Sequence, residues 1–157
     1  VPRHYLGDAR SRIPGLGGWT SVSTSIEDVA AKAKELALLV AETPASTPIS
    51  VVVEGIADFL STPADGAIVE LIKAVKRTDH SIIAEGETSQ WGSSWPLLGE
   101  IKSVRTGMLL QPESMEGDTI LRTSLPRVNR SEFPVGRGFV IARGRATRVQ
   151  LPLTPLP

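Results

Sequence analysis

The chain contains no cysteine, only two histidines and 4% aromatic residues across its 157 positions. Without cysteine there are no disulfides and no thiolate metal sites, and two histidines alone argue against a transition-metal centre. Sparse aromatics leave little for sugar-stacking platforms. That argues against a glycosidase, although Glu85 and Glu87 flank Gly86 as a carboxylate pair. No apolar run approaches the ~20 residues of a transmembrane helix, and the first residues carry no secretory signal pattern, so no membrane contact is expected from this segment. A G-x-x-x-x-G-K-[ST] segment is also lacking. "GLGG" at 15–18 runs into Trp19, and "GEIKS" at 99–103 has Ile101 where the second glycine belongs. A P-loop needs that pattern because its backbone N–H groups cradle the phosphates and its lysine reaches them. The chain by itself is therefore expected neither to bind ATP in the usual way nor to hydrolyse it.

What is present fits one globular domain with a real core: 41% hydrophobic and 22% charged residues, at a formal net charge of zero. The charge is unevenly spread. From Arg122 onward the basic residues are Arg122, Arg127, Arg130, Arg137, Arg143, Arg145 and Arg148, against Glu132 alone. Such an arginine-rich end suits phosphate, nucleic acid, an acidic neighbouring subunit or plain solvent.

Residues 1–20 are rich in Gly, Pro and Arg and read as an irregular lead-in that includes His4. A helix follows Ser25, with Glu27 and Asp28 at its start and Val29, Ala33, Leu36 and Val40 at helical spacing. "PISVVVEGIADFL" predicts a buried strand over 49–54 that delivers Glu54 to a sheet edge. A second helix follows, with Ile68, Leu71, Ile72 and Val75 on one face, and His80 reads as a solvated turn residue. "SIIAEGE" predicts a second strand ending on Glu85 and Glu87. Trp91 and Trp95 are expected as satellite core rather than as stacking platforms for bases. "PLLGEIKSV" suggests a short helix, "GMLLQ" a third strand, and "GFVIARG" with "RVQLPL" a closing hairpin. The alternation predicts an α/β fold: a mostly parallel sheet flanked by helices, with a C-terminal β-hairpin. Ligands of such sheets gather beyond the C-terminal strand ends, where Glu54, Glu85 and Glu87 fall. Gly136 and Gly138 let backbone approach closely around Arg137, whose fork can meet a phosphate; a tight turn accounts for the glycines equally well.

The order of "VVVEGIADFL", "IIAEGETSQWGSSWPLLGEIKSVRTGMLLQPESMEGDTILRTSLPR" and "EFPVGRGFVI" resembles the C-terminal half of an FtsK/SpoIIIE-type motor domain. This group includes DNA translocases and type VII secretion ATPases. The resemblance runs over about residues 19 to 152, most of all to terminal ATPase modules of multi-domain actinobacterial members. It implies a RecA-like fold without its P-loop half, residues 21–157 forming the C-terminal portion. It also implies neighbouring ATPase domains or subunits as partners in an oligomer, and a cytoplasmic setting with a parent that is membrane-associated or membrane-anchored. Mg-ATP would bind only in the complete parent domain, with DNA or a secretion substrate as cargo.

Carried over by residue, the resemblance puts Glu54 at the Walker B aspartate, as a magnesium ligand, and Gly55 at the catalytic glutamate. Ala57, Asp58 and Phe59 match the continuation of that motif. Glu85, Glu87 and Thr88 occupy the sensor strand end, with Gly86 in place of a glutamine. Arg105 and Arg137 match arginines that reach a neighbour's nucleotide. Loss of the water-activating glutamate removes a contribution of about 100- to 10,000-fold in rate. Glu for Asp displaces the carboxylate from a metal that demands near-ideal octahedral geometry. Three expectations follow: a degenerate module for assembly, regulation or partner binding; the hydrolytic part of an active translocase with its P-loop upstream; or an arginine-rich nucleic-acid or protein binding module. Under the resemblance, Gly55→Glu in the complete domain should raise ATPase activity.

Overall fold

Two separate sheets collect the strand-forming residues in the computed structural model of the chain, which describes residues 1–152. They belong to two compact units, Val1–Glu87 with Ser94–Glu100, and Thr88–Ser93 with the residues from Ile101 onward.

The first unit is built on a four-stranded parallel sheet in the order β2-β1-β3-β4. Its strands are β1 (Arg3–Leu6), β2 (Ser21–Ser23), β3 (Ser50–Val53) and β4 (Ser81–Ala84). Helix α1 (Ile26–Glu42) links β2 to β3, and α2 (Asp65–Val75) links β3 to β4. Ser25 caps α1 by accepting the Asp28 N–H at 3.1 Å, and Glu27 and Asp28 offset the positive end of the helix. Both connections run toward the same edge of the sheet, so right-handed crossovers put α1 and α2 together on one face. Val29, Ala33, Leu36 and Val40 of α1, Ile68, Leu71, Ile72 and Val75 of α2, and Val51 and Val53 of β3 form this buried layer. The opposite face carries Val22, Tyr5, Val52 and Ile83 in register. There only Tyr5 is fully buried, with Trp19 tilted against it at 5.5 Å between ring centroids. Val22 and Ile83 remain 45% and 61% exposed.

In the second unit β5 (Gly107–Leu110), β6 (Arg137–Ala142) and β7 (Arg145–Gln150) form an antiparallel sheet. Leu109, Phe139 and Ile141 are buried on one face, and Phe133 packs on Phe139 at 5.3 Å between centroids. Arg148 lies over the Phe133 ring at 5.0 Å, a cation–π contact. Helix α4 (Glu116–Leu121) contributes Ile120 and Leu121 to this core. The β6–β7 turn is Arg143-Gly144, both at positive φ, the two-residue form that matches strand twist. Helix α3 (Pro96–Lys102) spans the sequence boundary between the units.

Several expectations hold, and several are corrected. The α/β class, the two long helices, α3 and the closing hairpin are as expected; Leu153, at the end of the expected hairpin, lies outside the described residues. Residues 1–20 are not an irregular lead-in. "RHYL" is an inner strand, held between β2 and β3, and Tyr5 and Leu6 are fully buried. Four residues flanked by Gly, Pro and Arg are too few to show a pattern, and tertiary pairing decides them. The strand predicted over 81–87 stops at Ala84, and α4 was not anticipated. Trp91 is core, but Trp95 is 47% exposed.

The histidines change most. His80 is buried: its Nδ1 accepts the Ile49 N–H at 3.2 Å, so its Nε2–H donates to the Thr43 carbonyl at 3.1 Å. It is a bracket between the end of α1 and the start of β3. His4 is also buried, with Nδ1 2.8 Å from Ser21 Oγ and Nε2 without a hydrogen-bond partner. Burial holds its pKa below 6.5; the Lys32 charge adds to this and Glu35 opposes it.

Replacing His80 by alanine strands the buried Ile49 N–H and should cost about 1–3 kcal/mol in urea unfolding. His4 binds its proton more readily when unfolded. Its contribution should be complete above pH 6.5 and disappear as pH falls below that value. A His4→Gln variant should flatten the dependence of the urea midpoint between about pH 7.5 and 5 relative to the parent.

Candidate functional site

The C-terminal ends of the parallel strands in the first unit bring the expected acids to one rim. Glu54 follows β3 directly, and its backbone N–H donates to the Leu6 carbonyl at 2.9 Å. Alternation sends Val51 and Val53 to the helix layer and turns Glu54 to the opposite face, beside Tyr5. The Tyr5 hydroxyl donates to Glu54 Oε2. Burial, then this bond to the carboxylate, raises the Tyr5 pKa to about 12. The phenol therefore stays protonated and bonded through the physiological range; its stabilisation is present below pH 10 and lost as pH rises through about 12.

Gly55 leaves β3 in the left-handed region, at φ 62° and ψ 45°. This turn starts a short 3-10 segment over Ile56–Phe59 that buries Ile56 and Phe59. A Cβ at Gly55 would stand 2.8 Å from Asp58 Oδ2. Glu85 clamps the same turn: its side chain accepts the Gly55 N–H at 3.2 Å and its carbonyl accepts the Ile56 N–H at 2.9 Å. Its own N–H donates to the Val53 carbonyl at 2.9 Å.

Beside Glu54 lies a cavity of about 210 Å³, lined by Gly7, Asp8, Thr24, Ile26, Glu54, Asp58 and Phe59. Small-molecule pockets run to roughly 300–1,000 Å³, so it falls short of a nucleoside triphosphate. Asp8 was not anticipated from sequence. It sits two residues past β1, and because β1 was itself unrecognised nothing pointed to it. The Arg10 guanidinium pairs with Asp8 at 2.6 Å and lowers its pKa.

The rim thus carries Asp8, Glu27, Asp28, Glu54, Asp58, Glu85 and Glu87, with Arg10 and Arg12 as the cations of the loop after β1. Its field opposes a polyphosphate. For magnesium, Glu54 offers one carboxylate with an oxygen already bonded to Tyr5. Among the described residues no group of three or more His, Asp or Glu side chains is arranged to hold a metal ion. The residues therefore do not fit a dedicated magnesium site.

Of the remaining expected residues, Thr88, Arg105 and Arg137 lie in the second unit and Glu87 in the first. Thr88 opens a short 3-10 turn over Thr88–Gln90. Arg105 is exposed, at φ 53°, two residues before β5. Arg137 is bonded within its own sheet, its Nε donating to Gln150 Oε1 and a terminal nitrogen to the Glu132 carbonyl, each at 3.0 Å. The flanking Gly138 has a backbone cause: a Cβ there would stand 2.0 Å from the Leu109 carbonyl oxygen. Glu87 is exposed past β4 rather than paired with Glu85 on a strand.

In fold, the chain is similar to two solved structures. One is the cytoplasmic domain of EssC, at TM-score 0.69 and 15% identity over 96% of this chain and 33% of that one. The other is Thermomonospora curvata EccC (ATPases 2 and 3) in complex with a signal sequence peptide, at TM-score 0.65 and 18% identity over 94% and 30%. The fold is the one these proteins share. It is also the fold that the resemblance to FtsK/SpoIIIE-type motor domains implied. The chain spans about a third of the length of either structure. No protein-family model and no curated protein matches the sequence. Among the described residues no helix is long and apolar enough to cross a membrane.

Tyr5→Phe keeps the ring and removes the donor to Glu54. It should lower stability by about 1–2 kcal/mol, read as a drop in thermal midpoint.

Proposed function

We propose that this chain is a catalytically quiet segment of a type VII secretion-type ATPase, acting as an assembly, regulatory or partner-binding module. The fold likeness to EssC and to EccC ATPases 2 and 3 supports the class. One observation carries the quiet reading: Glu54 is bonded by the buried Tyr5 hydroxyl, and the next residue is a left-handed glycine clamped by Glu85. A general base at position 55 would have to adopt a backbone conformation that costs non-glycine residues about 1–3 kcal/mol. Its Cβ would also crowd the Asp58 carboxylate. The turn is thus built for glycine, rather than being a catalytic turn that lost one side chain.

The partners we assign are neighbouring ATPase modules, with a secretion substrate favoured over DNA as cargo of the complete protein. The EccC structure holds a signal sequence peptide, which supports that preference. The competing reading, Glu54 as magnesium ligand of an active site completed by an upstream P-loop, makes the opposite prediction.

Calorimetric titration of the chain with Mg-ATP should give no isotherm in the micromolar range; a micromolar, magnesium-dependent one overturns the quiet reading. Gly55→Glu should destabilise the chain by about 1 kcal/mol or more. In the complete protein it should leave ATP hydrolysis no faster, contrary to what the sequence resemblance implies, and a rise would favour the active-site reading.

A further inference from the structure

Both histidines of the chain lie in the first unit, and each bears on α1; the second unit has none. His4 is in register with Val51, so its ring enters the layer beneath the helices. There Lys32 and Glu35 of α1 are the charges that reach it, and Ser21 Oγ of β2 lies 2.8 Å from its Nδ1. A charged imidazole always carries an N–H on Nε2. At His4 that atom is buried, with no acceptor among the described residues. His80 holds the far end of the same helix. Thr43, which follows the last turn of α1, accepts the Nε2–H through its carbonyl, while the Nδ1 lone pair accepts the Ile49 N–H. A second proton would set an N–H on Nδ1 against that of Ile49, donor facing donor. The charged residues of the segments that meet there, Glu42, Lys76, Arg77 and Asp79, are all exposed. Each ring thus has a place in the closed unit only while it is neutral.

We propose that His4 and His80 make α1 an acid-sensitive latch: proton uptake by the two rings releases the helix from the parallel sheet, while the histidine-free second unit keeps its fold. Opening gives each ring water as a partner, so the open form accommodates the charge that the closed form does not. For His4 the sign follows from burial: closure is strongest above pH 6.5 and weakens as pH falls below that value. A histidine charged only in the open form favours opening by up to about thirtyfold between about pH 7.5 and 5. Carboxylates, with ordinary values of about 4, stay charged through most of that window. Opening bares the apolar stripe Val29, Ala33, Leu36 and Val40. Acidity thereby changes the surface the module presents, a form of regulation that needs no nucleotide.

Hydrogen exchange of the 157-residue chain tests the latch, read by mass spectrometry at about pH 7.5 and 5 and corrected for intrinsic rates. Protection of peptides from Ile26–Glu42 should fall at least about tenfold at the lower pH, while that of Arg137–Gln150 holds. His4→Gln/His80→Gln, whose amides donate and accept without taking up a proton, should keep α1 protected at both values. Unchanged protection of α1 in the parent chain overturns the proposal. So does equal loss from α1 and the β6–β7 hairpin, which marks global acid unfolding. A double variant that opens as the parent does also overturns it, and assigns the response to carboxylates. Where that variant lacks a native circular dichroism spectrum at neutral pH, ring NMR of the parent chain decides. The closed-state signals of both imidazoles should lose intensity without moving as the solution is acidified. Signals that shift through about pH 6.5 with α1 still protected overturn the latch.

Discussion

The hydrogen bond from Tyr5 to Glu54 is the constraint around which the first unit is arranged. Tyr5 is fully buried on the sheet face opposite α1 and α2, with the tilted ring of Trp19 against it. A phenol that deep needs an acceptor, and the residue after β3 supplies a charged one. Meeting that need fixes the direction of the Glu54 side chain, hence the departure of the chain from β3, hence the left-handed turn at Gly55 and the grip of Glu85 on it. The Glu54 carboxylate is thus tied into the scaffold of the strand ends.

That arrangement separates two properties that usually travel together in such folds. The C-terminal edge of a parallel sheet gathers ligands because strand ends and helix N-termini converge there. Here the convergence is present, with Ser25 capping α1 at the same rim. The charge, however, is wrong for phosphate, since the acids at the strand ends outnumber Arg10 and Arg12. The basic residues that would suit phosphate are collected in the other unit. A rim of this sign favours cationic neighbours over anionic nucleotides.

Much of the fold was legible because it rests on periodicity. The apolar spacing of α1 and α2 and the unbroken valines of β3 announce burial without any tertiary information. The β6–β7 hairpin was legible from its Arg-Gly turn and flanking strand formers. What stayed hidden depends on partners distant in sequence. "RHYL" is a strand only because β2 and β3 pair with it on both sides, and Asp8 enters the rim only through that strand. His80 looked solvated beside Asp79, yet its two ring nitrogens serve Ile49 and Thr43, 31 and 37 residues away. At the site, the sequence resemblance implied that Glu54 and Gly55 depart from a catalytic pattern. It carried no sign of Tyr5 as the reason one is bonded, or of a positive φ as the reason the other is glycine.

The close approach of Gly138 to the Leu109 carbonyl bears on how substitutions around the "GRG" turn should be read. A library randomised across residues 136–138 will be depleted at the third position whatever ligand is offered, because any side chain there pries β5 from β6. Depletion at Gly138 consequently reports strand spacing. Only Arg137, whose guanidinium is bonded to Gln150 and to the Glu132 carbonyl, separates recognition from folding in such a library, and lysine is the informative replacement. It keeps the charge a ligand would feel and loses the planar fork that ties the strand to its neighbours.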